Sequence, residues 1–218
     1  MRKLMVAAAA LLLASPALAA DMFMPYEPEP YYAMSDGGWG GQYLGATIGG
    51  QRTRIDVPGQ GTLQDNGFIG GLFAGYNVHQ ESLVYGVEAD AEWSSFDQSI
   101  ACTNPAWTCR GYVNFQGSLR ARLGMATDSF HVYGTAGLAV AHAGGSTTSP
   151  ANVEYHDSSV RFGWTVGAGA EIAFNESWFG RAEYRYTDLG SRDMTFDVVY
   201  PGVAATSHAL RAGIGYRF

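Results

Sequence analysis

Lysine is almost missing from this 218-residue chain: Lys3 is the only one, and every other basic residue is arginine. Charge is scarce as well, at 15% of residues, and its balance is acidic, 13 basic against 20 acidic for a net −7. A nucleic-acid partner needs clustered Lys and Arg to neutralise phosphates, so that class is excluded. Beyond the first twenty residues there is no apolar run approaching the ~20 that a membrane-crossing helix requires. An inner-membrane helical protein is thereby excluded too. Cysteine appears twice, at Cys102 and Cys109. No second Cys pair and no neighbouring histidine accompanies them, which argues against zinc.

What is present begins at the N-terminus. Arg2 and Lys3 precede the apolar run Leu4 to Ala14, and Ser15, Pro16 and Ala17-Leu18-Ala19 follow. A basic start, a short apolar core and an A-x-A end describe a cleaved secretory signal peptide, expected over residues 1–19. Without it the chain keeps 11 basic and 20 acidic residues, a net −9. Export places the two cysteines in an oxidising compartment, so a Cys102–Cys109 disulfide across the Asn104-Pro105 turn is expected. Residues 20–40 form a leader in which Pro25, Pro28 and Pro30 alternate with Glu27 and Glu29, a composition that favours extended, solvated chain.

From residue 41 onward the hydrophobic period is two, not 3.6. Leu210, Ala212, Ile214, Tyr216 and Phe218 alternate with Arg211, Gly213, Gly215 and Arg217. Leu83, Tyr85, Val87, Ala89, Ala91 and Trp93 alternate with Glu88, Asp90 and Glu92. Further runs set Phe115, Leu119, Ala121 and Leu123 against Asn114, Gln116, Ser118, Arg120 and Arg122, and Phe162, Trp164 and Val166 against Arg161 and Glu171. Trp178, Ala182, Tyr184 and Tyr186 oppose Arg181, Glu183 and Arg185. Such strands meet a different solvent on each face.

The pattern predicts eight strands near 42–51, 67–78, 83–96, 112–126, 130–142, 159–174, 177–189 and 206–218, each near the ~9–11 residues that a tilted strand needs to cross a bilayer. Long connections (52–66, 97–111, 143–158, 190–205) alternate with short ones (79–82, 127–129, 175–176), as outside loops alternate with periplasmic turns. Aromatics gather at both ends of the apolar faces: Trp93, Phe96, Tyr112, Phe115, Phe162, Trp164 and Tyr186 toward the loops, Tyr76, Tyr85, Phe174, Trp178, Tyr216 and Phe218 toward the turns. Two girdles at headgroup level favour a membrane barrel over a soluble sandwich. The expected fold class is all-β: an eight-stranded antiparallel up-and-down transmembrane β-barrel over residues 41–218.

An ordered set of short motifs supports a family. Gly70-Gly71, Gly75-Tyr76-Asn77, Gly86-Val87-Glu88-Ala89-Asp90 and Gly117-Ser118-Leu119-Arg120-Ala121-Arg122-Leu123-Gly124 come first. Tyr133-Gly134-Thr135-Ala136-Gly137, Gly167-Ala168-Gly169-Ala170-Glu171, Arg181-Ala182-Glu183-Tyr184-Arg185-Tyr186 and the terminal Arg211 to Phe218 follow. Over 41–218 the chain resembles the RopB-like surface-antigen barrels of rhizobia and related alphaproteobacteria, OmpA-type small barrels of the outer-membrane β-barrel superfamily. The resemblance implies an outer-membrane location and a final strand, with Tyr216 and Phe218, that the barrel-assembly machinery reads. It implies lipid and lipopolysaccharide as surroundings. Family members are described as envelope-stability proteins, surface antigens, small porins and haemin binders, so the family leaves the activity open.

The residues that point inward are the informative ones. Glu88, Asp90, Glu92, Glu171 and Glu183 are expected to share the lumen with Arg120, Arg122, Arg161, Arg181, Arg185, Arg211 and Arg217. An eight-stranded barrel is only wide enough for side chains to fill, so buried charges there must pair. Arginine suits this through forked contacts with carboxylates. The network either closes the pore or gates a narrow water path. His79, His131, His142, His156 and His208 show no ligand spacing for haem and no motif with a nucleophile, so no cofactor and no catalysis are expected. Haemin or a host surface bound through the long loops is the remaining alternative.

Overall fold

The computed structural model describes residues 38–59, 61–102, 104–196 and 198–218. The expected signal peptide and most of the expected leader lie outside these residues.

Alternating sequence becomes alternating burial. Eight antiparallel strands close a barrel in the order β1-β2-β3-β4-β5-β6-β7-β8. They are β1 (Gly41–Val57), β2 (Gly61–Gln80), β3 (Leu83–Ala101), β4 (Thr108–Ala126), β5 (Phe130–Thr148), β6 (Glu154–Ala173), β7 (Trp178–Thr195) and β8 (Val199–Arg217). Closure follows from β1 pairing with both β2 and β8, for example Ile48 with Gly70 on one side and Ala212 on the other.

The strands are longer than the sequence pattern suggested, 17 residues in β1 and 20 in β2 and β6. The expected long loops are mostly hairpin extensions of the strands, joined by residues 58–60, 102–107, 149–153 and 196–198. The reason lies in a change of polarity at constant phase. In the lower barrel Leu44, Ile48, Phe68, Leu72, Leu210 and Ile214 face outward and are exposed, which suits contact with acyl chains. Further along the same strands the outward positions become Arg52, Arg54 and Asp56, while Ile55, Leu63 and Val203 point inward and are buried. A pattern sought as apolar outside therefore ends at the membrane boundary, although the pleat continues.

The upper barrel is not zipped all the way round. Pairing of β2 with β3 stops at Ile69–Ser94 and that of β6 with β7 at Trp164–Asp188. The other pairs continue close to the tips, for example Ala101 with Thr108 and Thr148 with Glu154. Above the membrane the wall thus becomes two four-stranded sheets, β7-β8-β1-β2 and β3-β4-β5-β6. They face each other across an apolar core that includes Ile55, Leu63, Phe96, Val113, Met194 and Val203.

Several expectations on orientation need correction. Phe96, expected in the loop-side girdle, points inward and is buried, in phase with Glu92. Asn114, expected in the lumen, is exposed, because the register shifts between Val113 and Phe115. It stands opposite Ser94 and Ser95, where β3 carries one residue more than β4. Trp39, within the expected leader, is buried at the turn end of the barrel.

Candidate functional site

The lumen is filled in layers. At the centre lies a lattice of ion pairs that begins with direct cross-strand partners: Glu88 beside Arg120, Glu171 beside Arg181 and Glu183 beside Arg211. Each partner then reaches across the lumen. Arg120 meets Glu88 at 2.5 Å and Glu183 at 2.7 Å. Arg122 meets Glu88 at 3.0 Å and Glu171 at 2.9 Å. Arg181 joins Glu88 at 2.7 Å to Glu171 at 2.6 Å. Arg185 forks onto Asp90 at 2.9 and 3.0 Å, and Arg211 joins Glu92 to Glu183.

The lattice holds five carboxylates (Glu88, Asp90, Glu92, Glu171, Glu183) and five guanidiniums (Arg120, Arg122, Arg181, Arg185, Arg211), so its charges balance. Neutrality and forked geometry are what permit ions to sit this far from water.

Two arginines expected in this network stand apart from it. Arg161 lies higher, among the apolar side chains, and donates to the Val203 carbonyl at 2.9 Å. Arg217 lies lower, 4.5 Å over the Trp39 ring, and donates to the carbonyls of Gly38 and Asn175. Position along the strand separates them from the lattice, since all twelve predicted charges share the inward phase.

Other members escaped sequence reasoning. Tyr43 donates to Glu88 at 2.9 Å, Tyr133 donates to Glu183 at 2.9 Å, and buried His131 lies 2.9 Å from Glu171. All three share the inward phase of β1 or β5, strands whose Gly and Ala content blurs the alternation. The tyrosines need room from the neighbouring strands: a Cβ at Gly75 would collide with the Tyr43 hydroxyl, and one at Gly169 with that of Tyr133.

The lattice is covered above and below. Gln51 bridges Ser94 and Gln116 above it, and the apolar core of the extension lies beyond. Below, Tyr43, Phe73, Phe179 and Trp39 pack ring against ring, and the Trp39 indole N–H donates to the Thr127 carbonyl at 2.8 Å. The void inside the lattice is ≈10 Å³, about the room of one water.

Outside, Trp93–Phe115 and Trp164–Tyr186 form ring pairs at one rim of the apolar belt, and Trp178–Tyr216–Phe218 at the other. Cys102 and Cys109 form a disulfide in the β3–β4 tip, with Cα atoms 5.2 Å apart. Among the described residues no group of His, Cys, Asp and Glu is arranged to hold a metal ion.

An apolar belt with aromatic rims around a charged, filled lumen defines a small transmembrane β-barrel of the outer-membrane type. The chain belongs to the outer membrane protein beta-barrel domain family, which it matches over residues 5–218. It is 33% identical over 221 residues to the 25 kDa outer-membrane immunogenic protein of Brucella abortus biovar 1, covering 100% of this chain and 99% of that protein. Similarity to the 31 kDa outer-membrane immunogenic protein of Brucella melitensis biotype 1 is 32% over 244 residues, the whole of both. The 22 kDa outer membrane protein of Rhizobium leguminosarum bv. viciae is 34% identical over 182 residues, 84% of this chain and 79% of that one. Among solved structures the barrel is similar to OprG from Pseudomonas aeruginosa, with TM-score 0.51, 16% identity and coverage of 84% and 98%. That likeness speaks for the fold alone.

The protein therefore resides in the bacterial outer membrane, among its lipid and lipopolysaccharide, as a barrel of the kind that the barrel-assembly machinery inserts. Its relatives named above are outer-membrane and immunogenic proteins, and the chain is an outer-membrane β-barrel of their family.

Proposed function

We propose that this protein is a closed structural barrel that supports envelope integrity and presents its extension at the cell surface as an antigen. The observation that carries this reading is the filled lumen. A neutral ion lattice sits between an apolar core and an aromatic plug, and each layer alone obstructs water. Hydrated ions would have to cross all three, so rearranging the Arg/Glu pairs does not by itself open a path. The immunogenic names of the Brucella relatives fit an exposed extension, whose outward Arg54–Asp56 and Arg110–Asp97 pairs face solvent.

Planar-bilayer recording tests the closed lumen: silence is expected, and a steady conductance would turn the reading into the narrow-channel alternative. Loss of the chromosomal gene should sensitise cells to detergent and to large antibiotics; an unaltered envelope would remove the structural role.

A second reading rests on the tips, where Val153, Tyr155, Val198 and Val199 are exposed and Trp107 stacks on Tyr155. Apolar tips of this kind suit haemin or a host surface. Haemin binding by the intact protein that is unaffected by trimming 149–153 and 196–198 would refute it.

A further inference from the structure

The outward wall has a gap that the fold does not require. Along β1 the outward positions run Leu44, Ala46, Ile48, Gly50 and Arg52, all exposed. Gly50 stands level with Phe68 on β2 and Leu210 on β8, and Leu210 stands level with Tyr184 on β7. Its row is otherwise large and apolar or aromatic. Most strand glycines of this barrel are forced by their surroundings: a Cβ at Gly49 would collide with the Leu210 carbonyl, and one at Gly71 with that of Ala91. Gly50 is different. A Cβ there would meet nothing within 4 Å, and its φ is not positive, a combination that no other described glycine shows. The register is unbroken on both sides of it, so it marks no bulge. A strand glycine without these reasons marks a place where a ligand or another backbone comes close.

Gly50 is the floor of an open groove of ≈430 Å³, room for about a dozen non-hydrogen atoms at the ~30 Å³ that a water takes in the liquid. The upper lip of the groove is polar. Arg52 stands level with Asn66 on one side and His208 on the other. Its guanidinium lies against the neutral Gln64 side-chain amide, and no carboxylate is within ion-pair distance among the described residues. Outward Arg54 and Arg110 are instead held by Asp56 and Asp97. Arg192 also faces out without an acid, but it stands opposite Val203, nearer the tip than His208 and away from the groove. The Tyr184 hydroxyl and His208 Nδ1 are 2.7 Å apart, which holds the imidazole beside Arg52. Tyr186, level with His208, packs on Trp164 in the aromatic rim, so this lip lies at headgroup height.

We propose that this groove holds one phosphate-bearing lipid of the outer leaflet, its phosphate on Arg52 with His208 and Asn66, and an acyl segment on Gly50 between Phe68 and Leu210. The guanidinium fork matches phosphate oxygens. Because the groove opens to the bilayer, it has to hold only the phosphate and the first part of one chain. A second copy of this chain is the other occupant that a bare strand admits. Packing this wall on itself about a two-fold axis would bring Arg52 toward Arg52 with no acid between them. The site is independent of whether the lumen conducts.

Dioctanoyl phosphatidate is the probe, added to the full barrel in phosphatidylcholine nanodiscs and counted by native mass spectrometry on release. One retained phosphatidate per barrel, reached at saturation, is expected. Dioctanoylglycerol, with the same chains and no phosphate, should not be retained. Arg52→Gln should weaken retention at least about tenfold, the size of one lost charge-assisted contact. Gly50→Phe keeps Arg52, fills the floor and should weaken retention as strongly; heat-modifiable gel mobility establishes that both variants are folded. Excess inorganic phosphate should leave the lipid in place. Displacement by inorganic phosphate, retention without saturation, or retention undiminished in folded Gly50→Phe or Arg52→Gln overturns the assignment. A dimer that persists in phosphatidylcholine alone and is lost in Gly50→Phe would give the groove to a second copy, and overturns it equally.

Discussion

Replacing Glu88 by glutamine addresses the centre of the lattice. Its carboxylate accepts from Arg120 at 2.5 Å, Arg122 at 3.0 Å, Arg181 at 2.7 Å and the Tyr43 hydroxyl at 2.9 Å. Glutamine keeps the shape but removes one negative charge and turns an amide NH₂ toward guanidinium donors. The lattice then holds five guanidiniums against four carboxylates, with no water shell to absorb the excess. Breaking a buried ion pair from one side costs about 3–5 kcal/mol. That is a large share of the ~5–15 kcal/mol that holds a typical domain folded. The double variant Glu88→Gln/Arg122→Gln restores charge balance and should lose clearly less than the two single losses together. Guanidinium titration of protein refolded in lipid, followed by tryptophan fluorescence and gel mobility, gives the free energies by linear extrapolation. A loss under about 1 kcal/mol for Glu88→Gln, or strict additivity in the double variant, would refute the neutral-lattice reasoning.

Trp39→Ala removes an indole packed on Phe179, its bond to Thr127 and its contact with Arg217, and should cost about 3–5 kcal/mol in the same titration. Deleting Phe218, whose side chain is exposed to lipid while its N–H donates to the Gln42 carbonyl at 3.1 Å, should lower the surface level of protein with little effect on barrels already folded; unchanged assembly would remove the targeting role. Reducing Cys102–Cys109 frees a short tip. Limited proteolysis should then cut between 102 and 109 while the denaturation midpoint stays within error. Hydrogen bonds from Arg110 hold the Asp97 carboxyl below its ordinary value. Its contribution is therefore present above about pH 4 and is lost as the pH falls through the lower folded value. Protection of the β3–β4 extension amides, taken relative to the intrinsic exchange rate at each pH, should fall on that acid side, and equal protection at pH 6 and in strong acid would contradict it.

The period-two alternation from residue 41 was sufficient for the strand count, the up-and-down order and the outward belt, because a pleat places alternate side chains in different solvents wherever it runs. In the same phase Glu88, Arg120, Glu171, Arg181, Glu183 and Arg211 lie buried and opposite one another on adjacent strands. The Cys102–Cys109 spacing in an exported chain carried the disulfide in the same way.

What alternation lacks is height and handedness of solvent. Ile55 and Leu63 read as loop residues because the apolar side of their strands had changed from outside to inside, and only a closed wall shows which side is lipid. Arg161 and Arg217 have the same phase as Arg181 but sit above and below it, so the lattice excludes them. Bulges at Ser94–Ser95 and Asn114 move side chains between faces through a single extra residue, which no local pattern specifies. The pairs from Arg181 to Glu88 and from Arg185 to Asp90 join residues far apart in sequence across the lumen, and exist because closure brings opposite walls within a side chain's reach. Local chemistry thus determined the strands and their two faces; the barrel's closure decided what those faces meet.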